Sequence, residues 1–136
     1  MERTEALDRL SAARVARLAT ITPDGRPHLV AITFAVLGDA VVHMIDDKPK
    51  TTPRLQRLVN VEATPRASLL VDSYDEDWSK LWWVRVDGEV SIARSGALWE
   101  SARSSLGEKY PQYRSSPPGG PAIFLAIDHV THWEGS

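Results

Sequence analysis

A six-stranded antiparallel barrel with three short helices, mainly β and folded as one domain over residues 1–136, is what this sequence predicts. Three observations carry that expectation. Short runs rich in β-branched and aromatic residues recur along the chain, bounded by glycine, proline and aspartate. The first three runs follow one another with almost no spare residues, which describes a meander. Two other segments carry apolar residues at intervals of three and four, the helical spacing, and a third reads as a helix from a cap near Ser95. Closure follows from the cost of exposed edges, because an open sheet presents unpaired N–H and C=O groups to other chains. A chain of this length buries roughly two-thirds of its unfolded surface, enough for one core.

The elements follow in order. "RTEALDRLSAAR" has Ala6, Leu10 and Ala13 at helical spacing with Thr4 as N-cap, which predicts a helix over residues 4–13. "RVARLATIT" is the first strand, Pro23, Asp24, Gly25 and Arg26 form a tight turn, and "PHLVAITFAV" is the second strand. Gly38-Asp39 turns the chain into a third strand, "AVVHMI". Thr52 then caps a helix that has Pro53 at its first position and Leu55, Leu58, Val59 and Glu62 on one face. Thr64-Pro65 ends it, since a residue before proline avoids the helical region, and "RASLLVDSY" is the fourth strand. Trp82 to Arg94 form a long fifth strand, and "SGALWESARSSLGEKY" is a helix capped near Ser95. "PQYRSSPPGGP" reads as an irregular loop, and "AIFLAIDHVTHWEG" as the closing strand.

Composition removes several classes of function. A net charge of −2 supplies no general attraction for nucleic acid. With no cysteine there is neither a thiol nucleophile nor a thiolate metal site. No apolar run reaches about 18 residues, and the N-terminal twenty lack the apolar centre of a signal peptide, so a cytoplasmic protein is expected, away from membranes. No G-x-S-x-G or G-x-G-x-x-G is present, which leaves nucleophilic hydrolysis and a dinucleotide cradle without support. Asp72, Asp75, Glu76 and Asp77 form an acidic run without the spacing of a calcium loop. His28, His43, His129 and His132 lie on expected strands, where histidines are more often satisfied by neighbours than used as ligands or bases.

The sharpest local feature is "KPKTTPRLQR", in which Lys48, Lys50, Arg54 and Arg57 occur with no acid. A strand running into a helix N-terminus favours an anion through backbone N–H groups and the helix dipole, and Thr51 and Thr52 add hydroxyl donors. Arginine can grip a phosphate or carboxylate through two parallel hydrogen bonds, while lysine acts as a point charge. The alternative is a solvated basic helix start. A second feature is "DSYDEDWSKLWWVRVDG". Trp82 and Trp83 are adjacent on one strand and must face opposite sides, with Arg85 on the side of Trp83. Packing in one core accounts for one indole and leaves the other for an interface or a flat ligand.

Together, "ARLATITPDGRPHLVAITFAV" and "DDKPKTTPRLQRLVNVEATPRASLLVDSYDEDWSKLWWVRVDGEV" resemble the split β-barrel flavin and deazaflavin oxidoreductases related to pyridoxamine phosphate oxidase. Within that family the chain looks like the actinobacterial branch that depends on coenzyme F420. The resemblance implies a homodimer with cofactor sites at the subunit interface. It assigns the phosphate to Lys50, Thr51 and Arg57 with Lys48 nearby, and ring-side backbone contacts to Val30, Ala31, Ile32, Thr33 and His43. Trp83 and Arg85 fall on the strand presented from the partner subunit. The oxidases carry an arginine-lysine pair directly after the third strand, whereas "KPKTTPR" is longer and differently spaced, which favours the deazaflavin over FMN. The implied activity is hydride transfer between the deazaflavin and a small organic substrate, with no catalytic side chain required. An FMN-dependent enzyme and a non-catalytic carrier of such a cofactor are the alternatives.

Overall fold

The computed structural model describes residues 1–46 and 55–136. Helix α1 (Arg3–Ala12) leads into β1 (Ala16–Ile21), β2 (Pro27–Ile32), β3 (Ala35–Leu37) and β4 (Ala40–Met44). Helix α2 (Gln56–Ala63) precedes β5 (Arg66–Ser73), a single 3-10 turn (Trp78–Lys80) and β6 (Trp82–Ala93). Helices α3 (Ala97–Lys109) and α4 (Pro111–Ser115) come next, then β7 (Ala122–Ala126) and β8 (His129–Glu134). The mainly β, antiparallel class is as expected, but the described residues form eight strands rather than six, and the loop after α3 opens with a fourth helix.

Both extra strands come from corners that periodicity cannot see. The expected second strand breaks at Thr33-Phe34, where Phe34 is fully buried and its N–H donates to Tyr110 Oη at 3.2 Å, while its carbonyl accepts from the same hydroxyl at 3.1 Å. The expected closing strand breaks at Ile127-Asp128. There the chain passes over Gly88 so closely that a Cβ on that residue would sit 1.8 Å from the Ala126 carbonyl oxygen. An Asp128 carboxylate oxygen accepts the Glu89 N–H at 3.1 Å and fixes the corner.

The ladder runs β2-β1-β5-β6-β7-β4-β3, with β8 on β6. β6 holds it together: β5 pairs along one edge, and the other is shared by β8 over Trp82–Asp87 and β7 over Val90–Ala93. Among the described residues the path is not hydrogen-bonded into the expected closed barrel: its end strands β2 and β3 are joined through the Thr33-Phe34 corner and share no ladder.

Leu18, Leu69, Val71, Val84, Val86 and Leu125 alternate into the main core, each contributing roughly 1.5–3 kcal/mol by burial. β4 is buried on both sides by the same period of two: Val41 enters this core, while Val42 and Met44 join Ala102 and Leu106 beneath α3. Helix α1 buries Ala6 and Leu10, with Glu2 at its N-cap position instead of Thr4 and no side-chain cap. Gly96, at φ 92°, takes the cap position expected of Ser95, a backbone conformation that costs other residues more. Leu58 of α2 meets the core as expected, with Leu55 packed against it, but Val61 is buried where Val59 and Glu62 were expected, Val59 being half-buried and Glu62 exposed. Between Leu58 and Val61, Asn60 is also fully buried, donating to Thr20 Oγ1 at 3.0 Å and accepting from Gln56 Nε2 at 2.7 Å, so its amide is matched inside the protein. The described part of α2 starts at Gln56, and the expected cap at Thr52 and Pro53 lies outside the described residues.

Candidate functional site

β4 carries His43 to the corner where β2 turns into β3. The ring is nearly buried, 5% exposed, and its Nδ1 lies 2.8 Å from the Thr33 carbonyl oxygen. A carbonyl can only accept, so Nδ1 carries the proton and Nε2 keeps its lone pair. That lone pair accepts from Arg57 Nε at 2.9 Å. Burial, reinforced by the Arg57 charge, pushes the His43 pKa down to about 4, so the imidazole is neutral and suited to accept. Arg57 is half-buried in the first turn of α2, where the N-terminal helix dipole adds to its positive field. Burial lowers its pKa while Asp46 and Tyr113 favour its charged form, and a guanidinium retains its proton under such conditions.

A second layer steadies this corner. Tyr113 Oη lies 2.8 Å from Thr33 Oγ1, and Tyr110 meets Tyr113 edge to face with ring centroids 5.6 Å apart. Tyr110 Oη also lies 2.8 Å from the Arg14 carbonyl oxygen, so its single proton is shared between that carbonyl and the one of Phe34. A cavity of about 380 Å³ opens here, lined by Thr33, Asp46, Tyr110, Gln112, Tyr113 and Ser116. The two tyrosines were not singled out in the sequence. The available signal was "KYPQY": tyrosines three apart, with a proline at the start of α4 in place of free loop.

Of the residues expected to hold a cofactor, Thr33, His43 and Arg57 thus come together. Val30, Ala31 and Ile32 lie on β2, which pairs only with β1 among the described residues, so its other edge keeps backbone groups for a ligand. Ile32 is 4% exposed and packs in the core, which leaves it backbone contacts alone. Lys48, Lys50 and Thr51 lie outside the described residues.

Trp83 and Arg85 are elsewhere. On β6, Trp83 stands opposite Trp133 and Asp72, and Arg85 opposite Leu70 and Thr131, on the outward face of the sheet. Ala31, Arg17, Leu70 and Arg85 occupy one row across β2, β1, β5 and β6, so Arg85 is three strand spacings, roughly 14 Å, from β2. A cleft of about 510 Å³ on this face is lined by Arg17, Leu70, Tyr74, Trp83, Arg85 and Trp133. Trp82 instead packs against the main core and beneath the Arg9 guanidinium, 5.2 Å from its ring centroid, so the adjacent indoles divide as strand geometry requires.

The acidic run has local work. Asp72 pairs with Arg17 at 3.5 Å, and Asp75 accepts the Asp77 N–H at 2.8 Å. Asp77 caps the 3-10 turn by accepting from Ser79 N at 3.1 Å and Ser79 Oγ at 2.7 Å, bonds that hold its carboxyl below the ordinary value. No helix among the described residues is long and apolar enough to cross a membrane.

The family model of pyridoxamine 5'-phosphate oxidase matches residues 3–134. No curated protein matches the chain. Among solved structures, a conserved hypothetical protein from Mycobacterium tuberculosis has a TM-score of 0.81 at 24% identity, over 98% of this chain and 85% of that one. A FAD-binding protein from Mesorhizobium loti has a TM-score of 0.74 at 22% identity, over 100% and 96%. A heme-binding protein from Mycobacterium smegmatis has a TM-score of 0.76 at 23% identity, over 96% of this chain but 53% of the other. At these identities the likeness is one of fold.

Proposed function

The chain belongs to the pyridoxamine 5'-phosphate oxidase family, and from that premise we propose that it is an oxidoreductase using a flavin-type coenzyme, coenzyme F420 ahead of FMN. The observation that carries the reading is the hydrogen-bonded series Thr33–His43–Arg57, in which Arg57, the last residue of the basic segment, stands in the first turn of α2. Such a donor set fits a phosphate: a fixed guanidinium at a helix N-terminus supplies charge and two parallel donors. The edge of β2 that no other described strand pairs offers backbone groups to a flat heterocycle. The basic segment, with Lys48 and Lys50, suits a coenzyme that carries an acidic tail beyond its phosphate.

When bound, the coenzyme supplies the hydride chemistry. The protein's own part is to hold the anionic end through Arg57 and the basic segment, to orient the ring along β2, and to exclude water. We assign no catalytic side chain. A second chain of the same kind completes the site in this reading, since Trp83 and Arg85 lie on an outward face that also exposes Leu29 and Trp133. Heme is a poorer fit at this corner because both ring nitrogens of His43 are engaged, which leaves that residue no lone pair for iron.

The test is titration of purified protein with oxidised coenzyme F420 and, separately, FMN, followed by quenching of tryptophan fluorescence. Binding of the deazaflavin on the order of micromolar, with FMN weaker by tenfold or more, is expected. Tight binding of FMN alone would move the assignment to a flavin enzyme, and binding of neither would reduce the basic segment to surface. Faster oxidation of the reduced coenzyme than in free solution, across a panel of acceptors, separates an enzyme from a carrier.

A further inference from the structure

We infer that His43 is a positioning residue for anion recognition: its neutral imidazole holds Arg57 by Nε, so that the terminal nitrogens of the guanidinium meet the phosphate of the coenzyme already oriented. The inference rests on the function proposed above and adds to it a role that the backbone contact expected of His43 does not contain. The geometry requires a single arrangement of protons. Thr33 offers only a carbonyl oxygen at 2.8 Å, so His43 donates from Nδ1 and accepts at Nε2, where Arg57 Nε is 2.9 Å away. A protonated histidine would lose that acceptor and set two cations against each other.

The arrangement is built into the fold at both ends. His43 is almost fully enclosed on β4, and Thr33 is held through Oγ1 by Tyr113 and, at the adjoining Phe34 backbone, by Tyr110. Arg57 joins this support from a different element, across a gap in sequence of 14 residues. A bond at Nε keeps the two Nη groups, the pair suited to bidentate contact with a phosphate, out of the contact with His43, and fixing the side chain beforehand lowers the rotamer entropy lost on binding; the phosphate would meet the guanidinium in competition with the nearby Asp46 carboxylate.

The test compares the full chain with His43→Phe, His43→Gln, Arg57→Ala and the double variant His43→Phe/Arg57→Ala. Affinities for FMN, coenzyme F420 and inorganic phosphate are measured, with thermal unfolding recorded for each protein. His43→Phe, which keeps an aromatic volume and removes the acceptor, should weaken binding about tenfold. His43→Gln should recover part of the loss, because its amide oxygen can accept from Nε. The double variant should bind no more weakly than Arg57→Ala alone, the signature of two residues acting as one unit. If Arg57→Ala weakens binding while His43→Phe does not, or if the two losses multiply, the inference is overturned and the proposed function survives. A wild-type protein that binds none of the three probes overturns both.

Nitrogen-15 spectra of the labelled wild-type protein without ligand provide an arm that does not depend on any variant folding. His43 should appear as the neutral Nδ1–H tautomer and remain so well below pH 6. An Nε2–H tautomer, or titration at the ordinary histidine value, would overturn the inference.

Discussion

Arg57 and His43 carry the consequences that belong to single side chains. Replacing Arg57, alone or with Lys50, by alanine should lower affinity for the phosphate-bearing coenzyme by tenfold or more, with the difference shrinking as salt rises. Titrations at low and high ionic strength check this. His43 makes stability depend on acid. Its pKa lies near 4 in the folded protein and near 6.5 when unfolded, so protonation favours the unfolded chain. The stabilisation is fully present above about pH 6.5 and is lost as pH falls toward 4, by a total on the order of 3 kcal/mol. Denaturant unfolding from pH 7 to pH 4 should show that loss in the wild type and its absence in His43→Phe. The sequence marked Arg57 by its basic surroundings, but nothing in it pairs Arg57 with His43, because their bond depends on α2 packing on β1 with its first turn within side-chain reach of β4. Lys109 is similar: its amine lies 3.9 Å from the Phe34 ring centroid, and burial, with Arg14 beside it, brings its pKa down to about 8.

Among the elements, β6 was legible almost to the residue and the corners were not. Its valines alternate inward from Val84, as a strand buried on one face must, and its predicted end at Arg94 is one residue past the observed end at Ala93. "PHLVAITFAV" and "AIFLAIDHVTHWEG" contain the same β-forming residues on both sides of their corners, so local propensity has no means of marking the break. At one corner the cause is Gly88, which admits the Ala126 carbonyl where any Cβ would collide. Gly88→Ala should therefore force β6 away from the β7–β8 corner and destabilise the protein by roughly 3 kcal/mol or more. Urea unfolding measures the change. An effect below about 1 kcal/mol would mean that the corner gives way easily.

For the molecule as a whole, the outward face of β2, β1, β5, β6 and β8 is the feature a single chain leaves unexplained. It exposes Leu29 at 68% and Trp133 at 45%, beside Trp83 and Arg85. Large apolar groups gathered on one sheet face mark an interaction surface, and a second copy is the partner in the function proposed. Leu29→Glu should shift the protein toward monomer and weaken coenzyme binding in the same variant. Sedimentation over a range of concentrations, alongside the fluorescence titration, checks both. A wild-type protein that stays monomeric at high concentration would remove the partner's Trp83 and Arg85 from the site.

By itself the sequence determined the antiparallel, mainly β class, the core-facing residues of the long strands and the basic entry to α2. Each of these is written in a local period, two for strands and about 3.6 for helices, or in local charge. The tertiary structure alone decided where strands bend into corners, that Tyr110 and Tyr113 brace Thr33 and Phe34, and that His43 meets Arg57. Those outcomes are contacts between residues distant in sequence, set by how closely two backbones can approach and which buried polar atoms must be matched, and no local pattern encodes either.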